Sequence, residues 1–201
     1  MAGSLNAYID GEFRKSRQLV DAMVGDDILR AQVLDVVTRC VAALKRGNKV
    51  LFAGNGGSAA DAQHWAAELV SRFGYDRPGL SGIALTVDTS ALTAIGNDYG
   101  YERVFARQIE ALGRKGDLLF AISTSGNSKN ILLAIDAARV AGIEVVGFTG
   151  RKGGAMADRC SVCLRMPSDE TPKIQEGHEI LGHLMCGMIE REMFPSPDGP
   201  Q

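Results

Sequence analysis

Val50-Leu51-Phe52-Ala53-Gly54-Asn55-Gly56-Gly57-Ser58-Ala59-Ala60-Asp61 is the stretch that decides the fold. Four consecutive apolar residues run into a loop with three glycines and then into the start of a helix. A strand apolar on both faces has to be covered on both faces, as a central strand of a parallel sheet is. Glycine lets the backbone approach a ligand closely, and the following helix presents free amides at its start.

The same alternation repeats outward from this stretch. Ile83-Ala84-Leu85-Thr86, Leu118-Leu119-Phe120-Ala121-Ile122, Val145-Val146-Gly147-Phe148 and Val162-Cys163-Leu164-Arg165-Met166 read as four further strands. Helices are expected from about Ser58 to Phe73, around Thr89–Ile95 and Tyr101–Leu112, near Ser128–Ala141, and from about Thr171 to Phe194. Upstream, two helices are separated by Val24-Gly25-Asp26-Asp27, where Asp26 or Asp27 can cap the second. Ile28, Val33, Val36, Val37, Val41 and Leu44 give that second helix one apolar face. The fold class is therefore α/β, a doubly wound five-stranded parallel sheet in one domain over 1–201. A helical N-terminal extension covers about 1–46, the α/β core about 47–168 and a C-terminal helix about 171–194, before a frayed tail from Pro195 to Gln201. Ligands of such sheets sit beyond the carboxyl ends of the strands, which directs attention to the loops after Ala53, Thr86, Ile122 and Phe148.

Composition restricts the function classes. The chain has 201 residues, 45% of them hydrophobic, with a formal charge of −2, so neither nucleic acid nor an anionic membrane is called for. No apolar run approaches the roughly 18 residues of a membrane span, and Asp10 and Glu12 sit where a signal peptide would be apolar. Cys40, Cys160, Cys163 and Cys186 suit reduced thiols in a cytoplasmic protein. Cys160-x-x-Cys163 has the spacing of half a zinc knuckle, but no second pair completes it.

Two loops carry phosphate chemistry. Ser123-Thr124-Ser125-Gly126-Asn127-Ser128 places four hydroxyls and a glycine at a helix start, where O–H groups, amides and the positive helix end can converge on one phosphate. Helix capping by Asn127 or Ser128 needs one such residue and leaves the other hydroxyls unexplained. The glycine loop also satisfies G-x-G-x-x-A, with Asp88 past the second strand where a ribose-binding acid would stand; a tight turn would need the same glycines. Two helix stripes complete the candidates. His64 and Glu68 are four apart, and Gln175, Glu179 and His183 recur at the same interval, so each set shares a helix face, as metal ligands or a solvated face would. His178 falls off that stripe and reads as structural.

Together these segments resemble the phosphoheptose isomerases of the SIS-domain superfamily. The resemblance is carried by the run from Ala53 to His64 and by Leu92-Thr93-Ala94-Ile95-Gly96-Asn97-Asp98-Tyr99-Gly100-Tyr101-Glu102. Ser123 to Ser128 and Thr171-Pro172-Lys173-Ile174-Gln175-Glu176-Gly177-His178 continue it. It implies a flavodoxin-like strand order 2-1-3-4-5 and a cytoplasmic homotetramer whose active sites are completed by neighbouring subunits. It implies conversion of D-sedoheptulose 7-phosphate to D-glycero-D-manno-heptose 7-phosphate, the opening step toward heptose in lipopolysaccharide and other bacterial glycans. Substrate contacts carried over fall on Asn55, Gly56, Gly57, Glu68, Asn97, Asp98, Ser123, Thr124, Ser125, Ser128 and Gln175. The catalytic pair falls on Glu68 and His183, and a zinc site (one Zn2+ per subunit) on His64, Glu68, Gln175 and His183. Trp65 is bulkier than the family pattern suggests.

On this reading Glu68 moves the carbon-bound proton through a cis-enediol and His183 serves the oxygens, imidazole being the side chain that titrates near neutrality. A zinc-bound glutamate is a poorer base, so ligation and proton abstraction by Glu68 are alternatives. Two other functions compete. A SIS module that binds a sugar phosphate, or a replication initiator, without catalysis would keep the loops and lose the acid–base pair. A nicotinamide-dependent dehydrogenase would explain Asp88 and the glycines but not the serine loop or the histidine pairs.

Overall fold

The computed structural model describes residues 2–195, so the expected tail beyond Pro195 lies outside the described residues. Two helices come first, α1 (Ala2–Val24) and α2 (Asp27–Lys45), and Asp26 caps the second by accepting a bond from the Leu29 amide. Then follow β1 (Val50–Gly54), α3 (Gly57–Val70), β2 (Gly82–Ala84), α4 (Thr89–Tyr99) and α5 (Val104–Leu112). The chain continues through β3 (Leu118–Ile122), α6 (Lys129–Val140), β4 (Glu144–Gly150), β5 (Val162–Met166) and α7 (Thr171–Met193).

The sheet order is β2-β1-β3-β4-β5 and every pairing is parallel, as the resemblance implied. Side chains alternate across it. Phe52, Phe120 and Phe148 point to one face, where Trp65 and Leu69 of α3, Val36 and Val37 of α2, and Leu181 and Met185 of α7 cover them. Leu51, Leu119 and Val145 point to the other, against Phe105 and Ile109 of α5 and Ile131 and Ile135 of α6.

Of the boundaries that differ from the sequence expectation, three have a visible reason. The second strand pairs only over Gly82–Ala84, because the Leu85 carbonyl is taken by the Gln108 side-chain amide at 2.9 Å instead of a strand partner. The helix expected to run to Phe73 stops at Val70, where the Arg77 guanidinium donates to the Glu68 and Leu69 carbonyls at 2.8 and 2.6 Å. The helix expected over Tyr101–Leu112 begins as a separate 3-10 turn, Tyr101–Arg103, because Gly100 (φ 86°) swings the chain out of helical geometry after α4.

Candidate active site

The loops after β1 and β3 lie side by side at the carboxyl edge, since those strands pair directly. Gly56, at φ 57°, makes the turn from β1 into α3. Beside it Asn55 exchanges two hydrogen bonds with buried Asn130 at 2.9 and 2.8 Å and accepts a third from the Tyr101 hydroxyl at 3.1 Å. A side chain at Gly57 would meet the Gln175 amide nitrogen at 2.5 Å, so α7 lays Gln175 directly over the glycine loop.

In the serine loop, Gly126 (φ 67°) has no room for a Cβ against the Gly153 carbonyl. Asn127 is spent on the loop itself, donating to the Ser125 carbonyl and accepting from the Ala155 amide. Ser128 is the N-cap residue of α6, yet its hydroxyl makes no capping bond. It instead lies 3.1 Å from the Ser123 hydroxyl, which is itself 3.5 Å from that of Ser125. Three hydroxyls thus converge at a helix start, a donor set suited to a phosphate. The capping explanation for these serines is thereby removed. Thr124 is anchored through its carbonyl, which accepts from the Gly150 amide at 3.1 Å.

The helix stripes meet where α3 packs on α7. His64 Nε2 lies 2.8 Å from His183 Nε2, and Glu68 Oε1 lies 3.4 Å from His64 Nε2. Glu179 Oε1 faces both rings, 3.4 Å from His64 Nε2 and 3.2 Å from His183 Nε2. Asp61, three residues before His64, adds a carboxylate oxygen that is buried without a hydrogen-bond partner. Burial, reinforced by the charge of Glu179 and opposed by His64, raises its pKa to about 6. Two imidazoles and a carboxylate whose ligand atoms all lie within 4.8 Å of one another have the donor chemistry of a zinc centre.

Comparison with known proteins bears on this geometry. The SIS domain family model matches residues 13–150. A phosphoheptose isomerase of Burkholderia pseudomallei (strain 1710b) is 55% identical over 187 residues, which cover 93% of this chain and 95% of that protein. The solved phosphoheptose isomerase of Neisseria gonorrhoeae superposes with a TM-score of 0.86 at 43% identity, covering 92% of this chain and 98% of its own. That of Francisella tularensis gives 0.89 at 38% identity, with 94% and 98% covered.

The chain belongs to the phosphoheptose isomerase family of SIS-domain proteins.

Apart from Asn97 and Asp98, the residues carried over from that family fall into three groups in the structure. Asn55, Gly56, Gly57 and Gln175 form the glycine-loop side, and Ser123, Thr124, Ser125 and Ser128 the phosphate side. His64, Glu68 and His183 meet between α3 and α7. Asn97 and Asp98 stand apart. Both are exposed near the end of α4, where the Asn97 side-chain amide donates to Asp98 at 2.8 Å. Among the described residues no hydrogen bond joins them to the other groups. Sequence reasoning gave no role to Asp61, and it left Glu179 out of the metal set although it had placed that residue on the stripe. The cue for Glu179 was its i, i+4 relation to His183. For Asp61 there was none beyond its place in the glycine-loop motif. Asp88 proves to be the cap of α4, accepting from the Ala91 amide at 2.9 Å, which gives it a structural task in place of the ribose contact.

Proposed function

We propose that the chain interconverts D-sedoheptulose 7-phosphate and D-glycero-D-manno-heptose 7-phosphate. The observation that carries the reading is that the chain presents both halves of the necessary chemistry, each as a built cluster. The serine hydroxyls at the start of α6 suit a phosphate, and Glu68, His64 and His183 meet across α3 and α7. A module that only binds needs the first and has no use for the second.

The reaction moves one proton between carbons and one between oxygens. With the phosphate held by Ser123, Ser125 and Ser128, Glu68 takes a proton from C1 of the ketose to give the cis-enediol. His183 transfers protons between O1 and O2, and Glu68 returns its proton to C2. His64, Glu68, Gln175 and His183 would hold a zinc ion, whose chemistry when bound is to polarise the carbonyl and neutralise the enediolate. Glu68→Gln and His183→Gln, each assayed by NMR for conversion of sedoheptulose 7-phosphate, should lose about a hundredfold or more in turnover. Full activity in either variant removes the role assigned to that residue.

The assembly belongs to the same proposal. Leu5, Tyr8, Ile9 and Phe13 are exposed along α1, as are Ile180 and Leu184 on α7 beside the histidines. That these apolar faces are exposed on the single chain supports a homotetramer that would bury them, in which a neighbour's Asn97 and Asp98 would complete each site. Among the described residues no helix is long and apolar enough to cross a membrane. A cytoplasmic location is the setting this reading expects for a sugar-phosphate enzyme.

A further inference from the structure

We infer that Cys160 and Cys163 are a peroxide-oxidisable dithiol, and that bridging them loosens the serine loop through the 3-10 turn Gly154–Arg159. The effect on turnover rests on the proposal that this loop holds the substrate phosphate.

The two thiols meet at one point of the sheet edge. β5 is an edge strand, and Cys163 stands opposite Gly147 of β4 in the ladder. A Cβ on Gly147 would lie 2.7 Å from the Cys160 sulfur and 3.3 Å from the Cys163 sulfur, so the missing side chain leaves the space in which both converge. Cys160 is half-buried, Cys163 is 9% exposed, and both line an open groove of about 890 Å³ between α2 and β5. Cys40 and Cys186 differ. They lie within the core, where burial holds their thiols well above the ordinary range.

The surroundings select Cys163 as the nucleophile. The Cys160 thiol donates to its sulfur and the Arg165 guanidinium adds to this, lowering the Cys163 pKa against the opposing effect of burial. The same contact, together with burial, raises Cys160, which keeps its proton. A thiolate beside a cation, reached from an open groove and next to a second thiol, is the setting of an oxidation-sensitive cysteine. With a hydroperoxide as oxidant, the Cys163 thiolate attacks the terminal peroxide oxygen. An S–O bond forms, the O–O bond breaks, and the departing hydroxide or alkoxide takes a proton from water. The Cys160 sulfur then attacks the sulfenic acid on Cys163. The S–S bond forms, the S–O bond breaks, and the hydroxide leaves with the Cys160 proton as water. The dithiol loses two electrons and the peroxide gains them.

A disulfide draws its sulfurs to about 2.05 Å. Cys163 is held in the β5 ladder, so the movement falls on Cys160 and on the turn that ends at it. That turn holds the serine loop. Its Ala155 amide donates to Asn127 Oδ1 at 2.9 Å and its Met156 amide to the Gly126 carbonyl at 3.0 Å. Gly154 has no room for a Cβ against the Ser125 carbonyl, so turn and loop are in direct contact and a shift of one disturbs the other.

The test treats the reduced protein with hydrogen peroxide and follows it by mass spectrometry and amide hydrogen exchange. Both cysteines fall in one tryptic peptide, Cys160–Arg165, which should become about 2 Da lighter before Cys40 or Cys186 reacts. Cys160→Ser should stop at a sulfenic acid on Cys163 that dimedone traps, and Cys163→Ser should leave Cys160 unreacted. In the bridged wild type the Ala155 and Met156 amides should exchange about tenfold faster. KM for sedoheptulose 7-phosphate should rise about three- to tenfold, and dithiothreitol should reverse both changes. A peptide that keeps its mass, or Cys40 and Cys186 reacting as fast, would overturn the inference. A bridge that leaves the two amides exchanging as before would overturn its link to the serine loop. Faster exchange with an unchanged KM would leave the inference standing and remove the phosphate from that loop.

Discussion

Arg77 and Glu190 form an ion pair at 2.9 Å with both side chains only 2% exposed, and it ties the end of α3 to α7. The Arg77 guanidinium donates to the Glu68 and Leu69 carbonyls, and the Glu190 carboxylate accepts from the Phe73 and Gly74 amides at 2.7 and 2.6 Å. Glu190 lies seven residues after His183 on the same helix, so the pair fixes the spacing between the helices that carry Glu68 and His183.

Removing one member of such a pair leaves a buried charge without its partner. Arg77→Met should therefore cost about 3–5 kcal/mol of stability, measured by urea unfolding. Arg77→Lys keeps the charge but cannot span the carboxylate and two carbonyls together, so kcat should fall while the fold survives. Burial by itself would raise the Glu190 pKa, but the two amides and Arg77 outweigh it and hold it below 4.5. A carboxyl lowered in the folded state contributes stability that is present above its unfolded pKa and lost as pH falls through the folded one. The contribution of this pair should thus be complete above pH 4.5 and be lost progressively as pH falls below it through the lowered folded pKa, and Glu190→Gln should flatten that limb of the stability curve.

Ser128 separates binding from stability. Its hydroxyl makes no capping bond to α6 and is turned toward Ser123, so Ser128→Ala should leave urea unfolding nearly unchanged. Hydrogen bonds to charged groups are worth about 1.5–3 kcal/mol, so KM for the sugar phosphate should rise about ten- to a hundredfold. A loss of stability near 1 kcal/mol with an unchanged KM would identify an ordinary cap.

The parts of this architecture that were legible beforehand rest on local signals. Leu118–Ile122 was placed to the residue because it is a continuous apolar run between Asp117 and Ser123, and Val162–Met166 because only Arg165 interrupts an apolar run that Ser161 and Pro167 bound. The Ser123–Ser128 loop was visible because a surplus of hydroxyls at a helix start is itself contiguous. What was missed depends on distance along the chain. Arg77 stops α3 through bonds to residues eight and nine positions away and reaches Glu190 across 113 positions, which no window of sequence contains. Glu179 was seen as part of a stripe, but its aim depends on Trp65, 114 positions away. Trp65 could be singled out for its size, though size alone did not say what the indole N–H would hold.

Gly182 is the counterpart of that indole. A methyl group there would collide with the Trp65 ring nitrogen, so Gly182→Ala forces either the ring or α7 to move. Overpacking of this kind costs about 1–3 kcal/mol. Adding Trp65→Phe, which removes the five-membered ring, should recover part of the loss. Additive losses in the double variant would show that the two residues do not share the strain.

His178 supplies a pH response independent of the active site. It is fully buried on α7, its Nε2 bonded to the Thr149 carbonyl at 3.2 Å and its Nδ1 without a partner. Burial lowers its pKa from 6.5 to about 4, and the Thr149 carbonyl only partly offsets this. The unfolded chain therefore binds a proton at this residue that the folded chain refuses between pH 6.5 and about 4. Acidification through that window favours the unfolded state, by an amount on the order of 3 kcal/mol at its lower end. Asp61, raised to about 6, acts in the opposite sense over part of the range, so the useful comparison is between variants. Glutamine at this position can still donate to Thr149 but does not titrate. His178→Gln should therefore show a shallower fall in unfolding free energy from pH 6.5 to 4 than wild type, whatever its absolute stability at neutral pH. Parallel curves would mean that His178 is protonated in the folded protein, and that its ring has found a partner for Nδ1.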